Sequence, residues 1–185
     1  MKFIDSRDKP RDPWHTIDGD DGPMVTLTPM PFSLLTLLQW RGVRNHWPEG
    51  MPVGVLLAND VEVTEIADDL PRLALVALQF PKWVDGRAYS QARLLRSRHR
   101  YTGQIRAIGE VLVDMMPLLQ RTGFDTVVMR ADQSVDAAER ALGFFDGHYQ
   151  GDALDNRPLF ALPPEQRAAL TQPSESEFLN AGASI

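Results

Sequence analysis

Cysteine is missing from this 185-residue chain. The chain therefore cannot form disulfides, use a thiol nucleophile or hold an iron–sulfur cluster through thiolates. Long apolar runs are missing too, since none approaches the roughly 18–20 residues that cross a bilayer. The first residues carry aspartates and lack the apolar stretch of a secretory signal. We therefore expect a cytoplasmic protein with no membrane partner.

Three signature motifs are also absent, namely G-x-G-x-x-G, G-x-x-x-x-G-K-[ST] and G-x-S-x-G. Dinucleotide-binding, P-loop NTPase and nucleophile-elbow interpretations therefore lack their motifs. The four histidines have no metal-like spacing, so we expect no metal site; they are His15, His46, His99 and His148. No cofactor is evident, although a bound flavin remains compatible with the sequence.

Positive charge is concentrated in one segment of an acidic protein. The formal net charge is −6, yet seven basic residues and a single acid, Asp85, lie between Lys82 and Arg106. This separation focuses a positive field on one place and suits an anionic ligand or an acidic partner surface. Nucleic acid is not expected, because the rest of the chain is strongly acidic and no aromatic-interleaved basic groove is visible.

The chain divides into three stretches. Residues 1–52 are rich in proline and leave room for a short packing helix from Leu34 to about Arg41, capped by Ser33. Residues 53–150 alternate between strand and helix patterns and are expected to form an α/β core. Residues 151–185 form a C-terminal extension that we expect to be disordered from about residue 172.

Four consecutive strand–helix units are predicted within the core. The predicted strands are Val53–Leu57, Leu73–Phe80, Gln104–Ile108 and Phe124–Met129. The predicted helices are Val61–Leu70, Asp85–Arg100, Glu110–Arg121 closed by Gly123, and a last one from Ser134 to about Phe145. Such units imply a parallel sheet with right-handed crossovers. Because four units cannot close a normal barrel, we expect an open three-layer sandwich rather than a half-barrel completed by a second chain.

Candidate binding residues gather where the second predicted strand ends. Lys82 and Arg87 flank a helix start at Gly86 that Asp85 is expected to cap, and free backbone N–H groups favour anions there. We expect them to converge with Arg106 of the next strand on one oxyanion. The full set of expected anion- or partner-binding residues is Lys82, Asp85, Gly86, Arg87, Tyr89, Ser90, Arg93, Arg96 and Arg106.

The helix after Gly86 carries Tyr89, Arg93, Arg96 and Arg100 on one stripe. This stripe is a candidate docking surface, and a merely solvated basic face is the alternative. No catalytic residue is identified. Asp60 and Glu110 follow predicted strands and are candidates for acid–base chemistry, although an acid at Glu110 also suits a helix start.

A longer pattern runs through the same segment. It reads Phe80-Pro81-Lys82-Trp83-x-Asp85-Gly86-Arg87-x-Tyr89-Ser90-x-Ala92-Arg93-x-Leu95-Arg96, then Tyr101-x-Gly103-x-Ile105-Arg106-Ala107-x-Gly109-x-Val111-Leu112, then Arg121-x-Gly123-Phe124-Asp125. This pattern resembles the bacterial family called domain of unknown function 934. The chain departs from that family at Ala88, where glycine is usual, and at Met115-Met116, where Asp-Gln is frequent.

The resemblance implies an oxidoreductase or an accessory protein of sulfite reduction, because family genes lie beside those of assimilatory sulfite reductase. The oxidoreductase description fits poorly, since the chain lacks cysteine and a nicotinamide fingerprint. We therefore predict an accessory protein that docks to sulfite reductase or its electron donor. The alternative is an enzyme acting on a small anionic substrate at the carboxyl ends of the strands. The sequence leaves the oligomeric state open, and a homodimer is compatible with it.

Overall fold

The computed structural model describes residues 1–5, 12–17, 27–144, 150–153 and 157–171. Its strands are β1 (Lys2–Asp5), β2 (His15–Thr16), β3 (Ser33–Thr36), β4 (Val53–Leu57), β5 (Leu75–Phe80), β6 (Gln104–Gly109) and β7 (Thr126–Met129). Its α-helices are α1 (Leu37–Val43), α2 (Arg87–Ser97), α3 (Met116–Thr122), α4 (Val135–Leu142) and α5 (Pro164–Thr171). Helices of the 3₁₀ type cover Val63–Arg72, Val113–Met115 and Leu159–Ala161.

All of these strands belong to one parallel sheet, in the order β1-β7-β6-β5-β4-β3-β2. The predicted parallel α/β architecture is confirmed. The preferred open sandwich of four units is wrong, because the sheet has seven strands and curls into a half-barrel. From β2 to β7 the strand order never reverses. Right-handed crossovers then place successive helices on the same face, whereas a three-layer sandwich needs a reversal.

The convex face of the sheet carries the main core. Strand residues alternate between the two faces, so Val76, Leu78 and Phe80 of β5 point outward. There they pack with buried side chains of the helices, such as Ala92 and Leu95 of α2. The helices thus cover one side of the sheet and leave the other side to a separate, smaller cluster.

The concave face carries that smaller cluster. Leu34, Leu75 and Ala77 are buried there, with Trp14 and Leu56 packed against them. Trp14 belongs to the proline-rich segment before β2, so this segment supplies part of the concave surface. The half-barrel therefore has an apolar interior that is distinct from the core under the helices.

The N-terminal helix begins later than predicted. Ser33 is not its cap but the first residue of β3, and its hydroxyl donates to the Met30 carbonyl at 2.8 Å. Thr36 caps α1 instead. Its hydroxyl accepts from the Gln39 N–H at 3.2 Å, and the Gln39 side-chain oxygen accepts from the Thr36 N–H at 2.8 Å. Consecutive leucines at the predicted start are strand residues that face opposite sides of the sheet, which is why both are buried.

Other predicted elements are found with shifted ends. The predicted helix Val61–Leu70 is the 3₁₀ helix Val63–Arg72, and the helix predicted over Asp85–Arg100 is the shorter α2. Ser134 caps α4 as predicted by accepting from the Ala137 N–H at 3.4 Å. The disorder predicted from residue 172, and His148, lie outside the described residues. Among the helices of the described ranges, none combines the length and apolar character needed to cross a bilayer.

Candidate functional site

A short loop at the carboxyl end of β5 presents apolar side chains to solvent. Trp83 is 59% exposed and Val84 is 65% exposed, and Lys82 beside them is exposed as well. The Asp85 N–H donates to the Lys82 carbonyl at 3.0 Å and closes a turn. We call Lys82, Trp83 and Val84 the rim loop. Its two apolar side chains lie at the tip of a closed turn.

Asp85 anchors the rim loop on two sides. Its carboxylate accepts from the backbone N–H of Arg87 at 3.2 Å and from the Arg87 guanidinium at 2.7 Å. It also accepts from the side-chain amide of Asn59, which follows β4, at 2.7 Å. Asp85 is therefore not the helix cap that the sequence suggested, because Gly86 occupies the cap position of α2. Asp85 instead ties the loop to the helix start and to the neighbouring strand end.

These contacts affect the titration of Asp85. The hydrogen bond from the Arg87 side chain is the main cause that lowers the pKa of Asp85 from 3.8 to about 2. Because the folded pKa is depressed, the ionised carboxylate supports the folded loop at neutral pH, and this support is lost as pH falls through about 2.

We expect an NMR titration of the Asp85 side-chain carboxyl to have its midpoint near 2. Removing the guanidinium in Arg87→Ala should return the midpoint toward 3.8, while Ser90→Ala, one helical turn away on the exposed side of α2, should leave it unchanged. A wild-type midpoint at 3.8 would show that the Asp85–Arg87 pair does not persist in solution.

Arg96 is a buried structural residue rather than part of an exposed stripe. Its side chain is 9% exposed. Its guanidinium donates to the carbonyls of Tyr101, Gly103 and Gly123 and to the carboxylate of Asp125. Arg96 thus joins α2 to the segments that enter β6 and β7. The prediction that it faces a partner is wrong, because three backbone carbonyls converge on it from those segments.

The other residues of this helix that were predicted to bind a partner differ in their exposure to solvent. Tyr89 packs edge-on against Phe80 with ring centroids 5.1 Å apart, and it also contacts Phe124. Burial raises the pKa of Tyr89 to about 12. Ser90 and Arg93 are exposed on α2. Of the cations in the stripe, Arg93 is therefore exposed on α2, and Arg100 is exposed beyond the end of the helix.

Arg106 lies inside the half-barrel and not at its rim. In the sheet register it stands opposite Ala77 of β5, whereas Phe80, the last residue of that strand, stands opposite Gly109. Three residues of strand correspond to roughly 10 Å. Arg106 is 4% exposed and donates to both carboxylate oxygens of Asp12, at 2.6 and 3.1 Å. The predicted convergence of Arg106 with Lys82 and Arg87 on one oxyanion is therefore wrong.

The two candidate acids do not form a pair. Glu110 follows β6 and accepts from the guanidinium of Arg130, which also binds the Asp132 carboxylate through two nitrogens. Hydrogen bonding to Asp132 and Glu110 raises the pKa of Arg130. Asp60 is exposed beyond β4, where it interacts electrostatically with Arg87. Glu110 thus belongs to an ion-pair cluster at the ends of β6 and β7, apart from Asp60.

A cavity of about 520 Å³ opens on the concave face of the sheet. Its lining includes Arg106 and Asp12, together with the apolar side chains of Trp14, Leu56 and Ile108. Sequence patterns do not predict this site. Asp12 lies in a proline-rich segment without periodic pattern, 94 residues from its partner, so no local signal marks it. Within the described ranges, no group of three or more metal-ligating side chains comes together.

Comparison with known proteins finds a family whose model matches the central part of the chain. The family model of the bacterial protein of unknown function DUF934 matches residues 54–160. These residues run from β4 into the 3₁₀ helix Leu159–Ala161 and include the rim loop, Arg96 and Arg106. No curated protein matches the chain. Since the match covers more than half of the sequence, this chain belongs to the DUF934 family.

Proposed function

We propose that this protein is an accessory protein of assimilatory sulfite reduction that docks through its rim loop to an acidic surface of sulfite reductase. The exposure of Trp83 and Val84, 59% and 65%, carries the docking part of the proposal. Tryptophan is enriched among the residues that dominate binding energy at protein interfaces. The pathway part rests on the resemblance of the central motif to a family whose genes lie beside those of sulfite reductase.

Hydrogen bonds hold the base of the rim loop before a partner binds. Asp85 ties it to Arg87 and Asn59 through hydrogen bonds of 2.7 Å. Ordering a loop costs free energy on association, and a preorganised loop avoids most of that cost. An anchored tryptophan is therefore better suited to binding than one on a flexible segment.

Exposed cations on the rim loop and along α2 favour an acidic partner. Several exposed cations have no ion-pair partner within the described part of the chain, and they lie on the rim loop, on α2 or just after it: Lys82, Arg93, Arg98 and Arg100. Cations that are not neutralised internally steer an acidic surface toward them and speed association. An apolar tip beside Lys82, with Arg93 exposed further along α2, fits a partner surface with an apolar centre and an acidic rim.

The same geometry argues against a small-anion enzyme at this rim. Arg87 is bound by Asp85 and Arg106 is bound by Asp12, so both guanidiniums are already neutralised. Three cations were predicted to bind an oxyanion at the end of β5. Of these, Lys82 is the one without an acidic partner among the described residues. A protein partner can instead use the exposed apolar side chains, which an oxyanion cannot. We therefore favour docking over small-anion chemistry.

The proposal predicts a growth phenotype that depends on the rim loop. A bacterium that lacks its single copy of the gene should grow slowly on sulfate or sulfite, and cysteine or sulfide should restore growth. The wild-type gene should complement the deletion, whereas Trp83→Ala combined with Lys82→Glu should not. Purified sulfite reductase should bind the double variant at least tenfold more weakly than the wild type, measured by biolayer interferometry.

Phe144→Ala combined with Arg140→Glu is the matched control, because Phe144 is 72% exposed and Arg140 is exposed, both away from the loop. This control variant should complement fully and bind normally. Normal growth of the deletion strain on sulfite would remove the protein from the pathway. Equal complementation by both double variants would show that the rim loop is not the docking site.

A further inference from the structure

The concave cavity has the size and lining of a small-molecule site. Its volume of about 520 Å³ lies within the range of roughly 300–1,000 Å³ that is typical of such sites. Strands β1, β2, β3, β4, β6 and β7 each contribute to its wall. In barrels built from β–α units, ligands bind at the carboxyl end of the interior, where residues from several strands meet. The cavity occupies the equivalent part of this half-barrel.

The apolar part of the wall is built around Trp14. A β-carbon at Gly54 would lie 2.9 Å from the indole of Trp14, so glycine on β4 lets the ring rest directly against the sheet. Phe32 supports the indole edge-on, with ring centroids 5.5 Å apart. Leu56 and Ile108 complete this side. A flat aromatic surface and aliphatic side chains suit a planar, mainly apolar ligand.

The polar part of the wall contains an unused hydrogen-bond donor. Both terminal nitrogens of Arg106 bind Asp12, but its buried Nε–H has no acceptor among the described residues. The great majority of buried polar groups are hydrogen-bonded, so an unpaired donor on a residue that lines the cavity marks a place where an acceptor is missing. An oxygen atom of a ligand would satisfy it.

The Asp12 carboxylate determines which kind of oxygen fits. It lies 2.6 Å from one guanidinium nitrogen and 3.1 Å from the other, and therefore neutralises the charge of Arg106. An anionic ligand would be repelled by this carboxylate or would have to displace it from a buried pair. A neutral carbonyl oxygen accepts the remaining hydrogen bond without either cost.

We propose that the concave cavity binds a small, uncharged, planar and mainly apolar molecule whose carbonyl oxygen accepts a hydrogen bond from Arg106. The site is separate from the rim loop and does not depend on docking to sulfite reductase. Its floor is the Arg106–Asp12 pair, and its walls are Trp14, Leu56 and Ile108.

The neutral fluorescent ketone 6-propionyl-2-(dimethylamino)naphthalene tests the proposal, because it is planar, apolar and carries one carbonyl oxygen. Titrated with the full chain, its emission should shift to shorter wavelength and saturate at one molecule per chain. The variant Ile108→Trp fills the cavity and should weaken binding at least tenfold. The matched control Leu118→Trp adds the same side chain at an exposed position of α3 and should leave binding unchanged.

Arg106→Lys tests the donor itself, because lysine keeps a positive charge opposite Asp12 but has no Nε–H of the guanidinium type. We expect at least tenfold weaker binding of the ketone, the loss expected when a hydrogen bond from a charged donor is removed. Circular dichroism establishes that each variant is folded. Should Arg106→Lys not fold, Ile108→Trp decides the question.

Three results would overturn the proposal. The first is an emission spectrum that does not change with protein, and the second is equal binding by the wild type and Ile108→Trp. The third is tighter binding of the anionic probe 1-anilinonaphthalene-8-sulfonate than of the neutral ketone, which would show that the cavity selects an anion.

Discussion

Replacing Arg96 by alanine is expected to lower the free energy of unfolding by about 3–4 kcal/mol, because it removes charge-assisted hydrogen bonds to three backbone carbonyls and the ion pair with the half-exposed Asp125. The substitution leaves the carbonyls of Tyr101, Gly103 and Gly123 without their donor. Asp125 loses its charged partner but keeps the N–H of Ile105, at 2.7 Å. Urea unfolding followed by circular dichroism measures the loss as a lower midpoint at unchanged slope.

Arg93→Ala is the matched control for this experiment. Arg93 lies one turn earlier on the same helix, is exposed, and is absent from any ion pair in the described ranges. We expect its replacement to change the free energy of unfolding by less than about 0.5 kcal/mol. Similar effects of the two substitutions would mean that Arg96 does not hold the entries of β6 and β7 together.

Gly109→Ala is expected to cost about 2–5 kcal/mol, combining the strain of a left-handed residue with a steric clash. Gly109 ends β6 with φ +98°, and a β-carbon there would lie 2.4 Å from the backbone carbonyl oxygen of Phe80. Because this oxygen belongs to the backbone of β5, it cannot move aside as the end of a flexible side chain could. The same Phe80 carbonyl accepts from the Glu110 N–H at 2.8 Å, so the clash also weakens the pairing of β5 with β6.

Gly50→Ala separates the two causes of this loss. Gly50 has a similar positive φ of +78°, but no atom lies within 4 Å of the position its β-carbon would take. Its replacement should therefore show conformational strain alone, about 1–2 kcal/mol. Thermal unfolding of both variants provides the comparison. Equal losses at the two positions would show that the contact with Phe80 contributes nothing.

Gly109 is also expected to affect docking, because it lies beside the base of the rim loop. Its contact carbonyl belongs to Phe80, and the rim loop begins two residues later at Lys82. A shift of this strand end would move Trp83 relative to the exposed cations of α2. A substitution at Gly109 is therefore expected to change both stability and docking. The cavity is lined by the concave face of the sheet and lies apart from this contact.

Local sequence patterns determined the middle of the fold. The apolar run that forms β5 is buried almost completely, as expected for an interior strand of a parallel sheet. Ser134 begins α4 and Gly123 ends α3, since capping depends on residues within one turn of the helix end. These features were predicted because each of them depends on neighbours in the sequence.

Only the tertiary structure decided the edges and the curvature of the sheet. Lys2 of β1 pairs in register with Thr126 of β7, and the two residues of β2 pair with β3. Strands of two to four residues in a proline-rich segment carry too few positions to show an alternating pattern. Their pairing depends on a surface that exists only after the rest of the sheet has formed.

The same limit explains the outcome for the candidate site. The sequence determined that cations gather between Lys82 and Arg106, and that the chain cannot use cysteine chemistry. It could not tell which cations remain free, because Arg96 is bound by carbonyls from other segments and Arg106 by Asp12, 94 residues away. The charge of a residue can be read from the sequence. The groups that neutralise or bind it can come from distant parts of the chain, and only the folded structure shows them. Tertiary packing thus decided that Trp83 is exposed and that Arg106 lies inside the half-barrel.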